Sequence, residues 1–346
     1  MKLFKRIMAV TLAAVMVAGI TPAFAEEAPA VNFDTPVSFT FASAGKQGST
    51  DSSMIEEWID RIQTESGGMI TVDYQPGAAL GNQYETFQQT IDGQIEGCTA
   101  GIATYQSYNP NCEIFQLPFL ITSYDLEWKA LNTPEWQAIL KQTEEYIGTV
   151  YICGAIDSGM RHIGMVSKPV TCLADLQGEK IRTASSAMLT EALKLLGCNP
   201  TPVDYTEVYS ALKNGQVTGE DVNYGSAYFQ NHFEVLTNWT EIGMYPYPSF
   251  HVFNKDFVDS LPEGYWDFMQ GVMNECMEKF FSETVVQGDA FCKKGMEENG
   301  VVVSELTDYD AWVEAVQPLI DKYTGDDVDP LMKDFVIAVE ALKEAE

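Results

Sequence analysis

From Tyr265 to Phe291 apolar residues recur at helical spacing: Phe268, Met269, Val272, Met273, Cys276, Met277, Phe280, Phe281 and Val285 fall between them. No proline interrupts the run after Pro262. Ser260 and Glu263 fit a capping box, and Pro262 suits a first turn. Continued to Glu298, one helix would be roughly 50–60 Å long at 1.5 Å per residue. Helices of ordinary globular proteins are far shorter. A helix of this length can run across two lobes; the alternative is two helices broken near Gly288.

The rest of the chain alternates strand and helix. VSFTFASA (37–44), ITVDYQP (70–76) and EGCTAGIA (96–103) read as strands. Between them STDSSMIEEWIDRIQTESGG places Met54, Ile55, Trp58, Ile59 and Ile62 on one helical face, and QYETFQQTIDG forms a second helix. The pattern resumes with strands at 148–156 and 161–167, the strand KIRTA, helices at 185–198 and 205–215, and a strand at 216–223. Such alternation argues for βαβ units and a mostly parallel sheet. WTEIGMYPYPSFHVFNK (239–255) is extended and suits a segment crossing between lobes. The 346 residues allow one large domain or two smaller ones.

The first 25 residues differ from the rest. A basic MKLFKR, an apolar IMAVTLAAVMVAGI and a closing TPAFA form a secretory leader, cut after Ala25. The apolar run is shorter than the roughly 20 residues a spanning helix needs. The formal charge is −30, and the leader holds Lys2, Lys5 and Arg6 but no acid. A surface this acidic repels nucleic acid and anionic membranes. The cysteines number seven, so at least one is unpaired in a monomer, and none forms a C-x-x-C pair.

Signatures of catalysis are missing: there is no G-x-S-x-G, P-loop or G-x-G-x-x-G. His162, His232 and His251 are scattered, which argues against a histidine-rich metal site. Arg182 stands out instead. It ends a short apolar strand just before a helix, where ligands collect in open α/β sheets. Its planar fork matches a carboxylate's two oxygens. Position alone leaves three readings open: a surface residue, an internal salt bridge or a ligand anchor. Arg161, in SGMRHIG, is open to the same readings.

The stretch DLQGEKIRTASSAMLTEALKLLGCNPTPVDYTEVYSALKNGQVTGED resembles the signature region of solute-binding subunits of TRAP (tripartite ATP-independent periplasmic) transporters, DctP type. DLQGEKIR, LGCNPTP, TEVYSAL and GQVTGED match that family's motifs in order and spacing, with LGCNPTP at its turn. ESGGMITVDYQPGAALGNQ, FQLPFLITSYD and FNKDFVDSLPEGYW extend the match over nearly all of the chain after the leader. The resemblance implies an α/β, two-lobed periplasmic-binding-protein-like fold with one long helix spanning both lobes. Lobe I would comprise residues 26–158 and about 248–287, and lobe II residues 159–247 and about 288–346.

It also implies a cleft that binds a small organic acid, with Arg182 as principal anchor for the carboxylate. Arg161 matches a second arginine near the ligand, Tyr205 an aromatic that packs on it, and Ser185 a polar position after the anchor. Two departures bear on the cleft. Val222 holds a position where the family has a ligand-contacting asparagine, and Asn223 is displaced by one, onto the other face of a regular strand. Gln83 replaces a frequent acidic residue, with Glu85 two further on. Both changes reduce polarity, so the expected ligand is an anion with a partly apolar body, an aromatic one included. The expected partners are the small and large membrane subunits of a TRAP transporter, with no cofactor and no nucleic acid. The expected state is an exported monomer in the periplasm or on the outer face of the cytoplasmic membrane. The competing readings are an ABC-type or sensor receptor, and an exported glycoside-acting enzyme drawing on Glu207, Glu220 and Asp221.

Overall fold

The computed structural model describes residues 31–325 and 327–345, and the leader lies outside them. In chain order the strands are β1 (Val37–Ala42), β2 (Ile70–Gln75), β3 (Gly97–Gly101), β4 (Val150–Asp157), β5 (His162–Met165), β6 (Lys180–Thr183), β7 (Asn199–Pro202), β8 (Gly219–Val222), β9 (Asn238–Glu241), β10 (Pro248–Asn254) and β11 (Val302–Glu305). They form two sheets, ordered β2-β1-β3-β10-β4 and β11-β9-β5-β8-β6-β7. These are the cores of the two lobes. Neither sheet is purely parallel: β10 runs against β3 and β4, and β5 against β8 and β9.

The first lobe follows from its pattern. Phe39 and Phe41 alternate on β1 toward the helix Thr50–Glu65, where both meet Trp58. That helix buries Met54, Ile55, Trp58, Ile59 and Ile62, the face read from sequence. It gives way to Gly67 and Gly68, both in the left-handed region. In the second lobe Trp239, Val222, Leu212 and Val208 belong to one buried cluster.

Of the segments that cross between the lobes, three bear on the site. Residues 158–161 link β4 to β5, and residues 242–247 link β9 to β10. The two run side by side, with Arg161 N donating to Tyr245 O at 2.9 Å and Met244 N to Arg161 O at 3.0 Å. The third is the long helix. Tyr265–Lys279, a π turn Phe280–Thr284 and Val285–Glu298 follow one another without a gap. Gly288 does not break it. A Cβ there would stand 2.4 Å from Thr50 Cγ2, so this glycine allows the helix to approach the first lobe. Trp58 Nε1 donates to Met269 O at 3.0 Å on the same side. Farther along, a Cβ at Gly295 would stand 2.3 Å from Tyr228 Cε2 of the second lobe.

Two expectations are revised. NPTP is not merely a turn: Asn199–Pro202 forms β7, parallel to β6. It is an edge strand, where proline's missing N–H is tolerated. The assignment of 288–346 to lobe II fails for the last helix, Pro330–Glu344. Its Phe335 stacks on Phe115 at 5.5 Å and lies 5.4 Å from Trp136, both on the first lobe's side. No helix among the described residues is long and apolar enough to cross a membrane. All seven cysteines are unpaired, and five are buried.

Candidate functional site

The carboxyl ends of β1, β3, β4, β6 and β8 face one pocket between the sheets. β1 leads into Ser43, Ala44 and Gly45, β3 supplies Thr99 and Gly101, and β4 leads into Ser158. β6 supplies Arg182 and leads into Ala184; β8 leads into Asn223. Ser249 enters from β10, whose reversed direction brings its first residues to this end, and Tyr247 from the crossing segment just before it. Asp51, Gln83, Tyr205 and Ser226 come from the starts of helical segments. The enclosed volume is about 60 Å³, room for a compact molecule when one water needs roughly 10–15 Å³.

Arg182 is 3% exposed. Its Nε and Nη2 donate to the carbonyl of Val203 at 3.1 and 2.9 Å. These two bonds fix the guanidinium plane. A guanidinium has five N–H donors, so the edge away from Val203 remains for another acceptor. Among the described residues no carboxylate pairs with it. A buried charge with no counter-ion is costly. An anion arriving from the pocket would remove that cost.

Arg161 is placed differently. It is 5% exposed, its Nη1 donates to Asp221 O at 3.1 Å, and it lies 3.7 Å from Asp221 Oδ1. Asp221 also accepts from Tyr245 and Thr183, each at 2.6 Å. Burial opposes the Arg161 charge, but Asp221 and the flanking Tyr245 and Tyr247 more than offset it and raise its pKa. Its guanidinium carbon sits 4.1 Å above the Tyr247 ring. Its Nε and the Tyr247 hydroxyl are buried with no hydrogen-bond partner among the described residues. Two unsatisfied polar atoms at one pocket wall mark where a ligand would find donors.

The other sequence-selected residues divide. Gln83 lines the pocket, its Oε1 accepting from Gly101 N at 2.9 Å. Tyr205 lines it too, with burial pushing its phenol up to about 12. Asn223 lines the pocket, against the alternation argument, because β8 ends at Val222 and Asn223 caps the helix Tyr224–Phe229, accepting from Ser226 N. Val222 faces the buried cluster. Glu85 is outside: it closes a capping box with Asn82, accepting from Asn82 N at 2.8 Å. Ser185 is exposed, beside a shallow depression with Thr190 and Lys194. The expected loss of polarity therefore does not occur. Ser43, Thr99, Ser158, Ser226 and Ser249 line the pocket, and among the described residues its only aliphatic side chains are Ala44 and Ala184.

The trio considered for glycoside chemistry does not assemble there. Glu207 is exposed. Glu220 is buried against His232 Nδ1 at 2.9 Å. Asp221 serves the Arg161 network. Sequence reading missed Asp51, Ser158 and Tyr247, although Ser158 lies just past a strand and Tyr247 in the extended crossing segment.

A family model described as "Bacterial extracellular solute-binding protein, family 7" (DctP) matches residues 41–326. The uncharacterized protein YiiZ of Salmonella typhimurium is 28% identical over 180 residues, which cover 52% of this chain and 55% of that protein. The C4-dicarboxylate-binding periplasmic protein DctP of Vibrio cholerae is 24% identical over 278 residues, 77% of this chain and 80% of that one. Among solved structures, the sugar acid binding protein DctPAm of Advenella mimigardefordensis, in complex with galactonate, superposes with a TM-score of 0.83 at 21% identity. That superposition covers 89% of this chain and 99% of DctPAm.

Proposed function

Since the chain belongs to family 7 of the bacterial extracellular solute-binding proteins, we propose that it is the exported receptor of a TRAP-type secondary transporter. It captures a compact organic acid between its lobes and delivers it to the membrane subunits. Arg182 holds the carboxylate. The observation that carries this reading is a buried guanidinium, immobilised on Val203 O and lining the interlobe pocket with no counter-ion among the described residues. Arg161 and Tyr247 support the bound carboxylate from the adjoining wall. The polar lining favours a hydroxylated acid over an aromatic one. The galactonate bound by DctPAm is an acid of this kind.

Thermal-shift screening against organic acids, followed by calorimetry, tests the reading. Arg182→Ala should lose at least roughly thirtyfold in affinity, since truncating one member of a buried charge pair costs about 2–5 kcal/mol. Its melting temperature without ligand should fall little, as no acidic partner loses its counter-charge. Undiminished affinity in this variant would refute the anchoring role. Arg182→Lys should recover only part of the binding, because an ammonium cannot reproduce the fork.

A further inference from the structure

Arg182 accounts for one charge in the pocket, and Arg161 is balanced by Asp221. One formal charge is left: Asp51, the only carboxylate lining the pocket among the described residues. It lies in the first turn of the helix Thr50–Glu65, where the helix dipole favours a negative group. Its two oxygens are held unequally. Oδ1 accepts from the Ser49 hydroxyl at 2.5 Å and from Ser52 N at 3.1 Å. Oδ2 has a single long contact, from the Ser158 hydroxyl at 3.3 Å. Ser158 and Gly45 both line the pocket, and a Cβ on Gly45 would stand 2.7 Å from Oδ2. The oxygen with spare acceptor capacity is thus the one beside pocket backbone.

A pocket with one open cation and one open anion sorts acids. A carboxylate at Arg182 is matched, and a hydroxyl elsewhere on the ligand can donate to Asp51 Oδ2. A second carboxylate would meet Asp51 as a like charge inside the pocket, a juxtaposition that acts as rejection.

We propose that Asp51 is a specificity-determining residue: its Oδ2 accepts a hydrogen bond from a ligand hydroxyl, and its charge excludes dicarboxylates. The substrate class is then the hydroxylated monocarboxylates. The inference rests on the reading of Arg182 as carboxylate anchor and extends it to the rest of the ligand. It separates this chain from a receptor for C4-dicarboxylates, the ligand class named for the Vibrio cholerae relative.

Calorimetry with matched acids decides it. Each pair shares a carbon skeleton and differs only in whether the far terminus is a hydroxyl-bearing carbon or a carboxylate: glycerate and tartronate, threonate and tartrate, gluconate and glucarate. For the pair with the tighter-binding member, the wild-type protein should favour the monocarboxylate by at least roughly tenfold. D51N should shrink that preference by about tenfold, chiefly by gaining the dicarboxylate. Wild-type preference for a dicarboxylate, a ratio unchanged in D51N, or binding confined to carboxylates without hydroxyls would overturn the assignment while leaving Arg182 as anchor. Absence of binding to every carboxylate would remove the anchor reading itself. If D51N does not fold, as judged by its circular dichroism melt, D51S makes the same test.

Discussion

Replacing Asp289 with Asn should flatten the dependence of stability on pH between about 4 and 7. Asp289 lies on the long helix against the first crossing segment, where a Cβ on Gly159 would stand 2.6 Å from its Oδ1. Tyr124 donates its hydroxyl to Oδ2, and Met160 N donates to Tyr124 at 2.9 Å. Asp157 and Glu241 face it as further anions, and Glu241 is itself paired with Lys293 at 2.9 Å. Burial, reinforced by those anions and only partly offset by Tyr124, pushes the carboxyl from 3.8 up to about 7. Between these values the folded chain keeps a proton that the unfolded chain has released. Its favourable contribution is complete below about pH 4 and is lost as pH rises through 7. Each pH unit in the window costs about 1.4 kcal/mol, so the loss approaches about 4 kcal/mol at neutrality. Asn keeps an acceptor for Tyr124 and does not titrate. Urea unfolding of both proteins at unit steps from pH 4 to 8 measures the difference. The stability of D289N relative to wild type should climb across the window and level off above 7. Parallel pH profiles would show that Asp289 ionises like an exposed acid and would refute the argument.

Tyr247→Phe should leave the stability of the free protein within about 0.5 kcal/mol, because the hydroxyl has no partner to lose. Its affinity for the acid identified by screening should drop about tenfold, the worth of one hydrogen bond; an unchanged Kd would remove the hydroxyl from the binding site. Gly295→Ala should destabilise by about 1–3 kcal/mol, as its methyl group collides with the Tyr228 ring. An unaltered urea midpoint would show that the contact is soft.

The sequence made the long helix readable because apolar spacing near 3.6 persists through it, but the π turn at Phe280–Thr284 was hidden. Local widening of one turn leaves no distinct mark in such a pattern. Arg182 stood out by its place at a strand end, but position alone left its role open, and the family resemblance singled it out as the anchor. Asn223 was misjudged because alternation holds only inside a strand, and β8 stops one residue earlier. Asn before a short helix is itself a capping signal, one that the alternation argument passed over. The helix Pro330–Glu344 shows a different limit: amphipathic spacing reveals that one face is buried, not which lobe covers it. Asp51 escaped notice because one acid among 50 carries no local mark. Only the folded chain brings it to the same pocket as the two arginines.

The helix rooted at Thr50 and Trp58 at one station and at Tyr228 at another acts as a leaf spring between the halves. Any swing that parts the jaws must flex this rod or pry loose one of its two glycine seats. The π turn lies between Met269 and Gly288, both held by the first lobe, so the flexure falls beyond it, between Gly288 and Gly295. In the proposed receptor, the stiffness of that single stretch would set how readily the two halves part, and none of its residues lines the pocket.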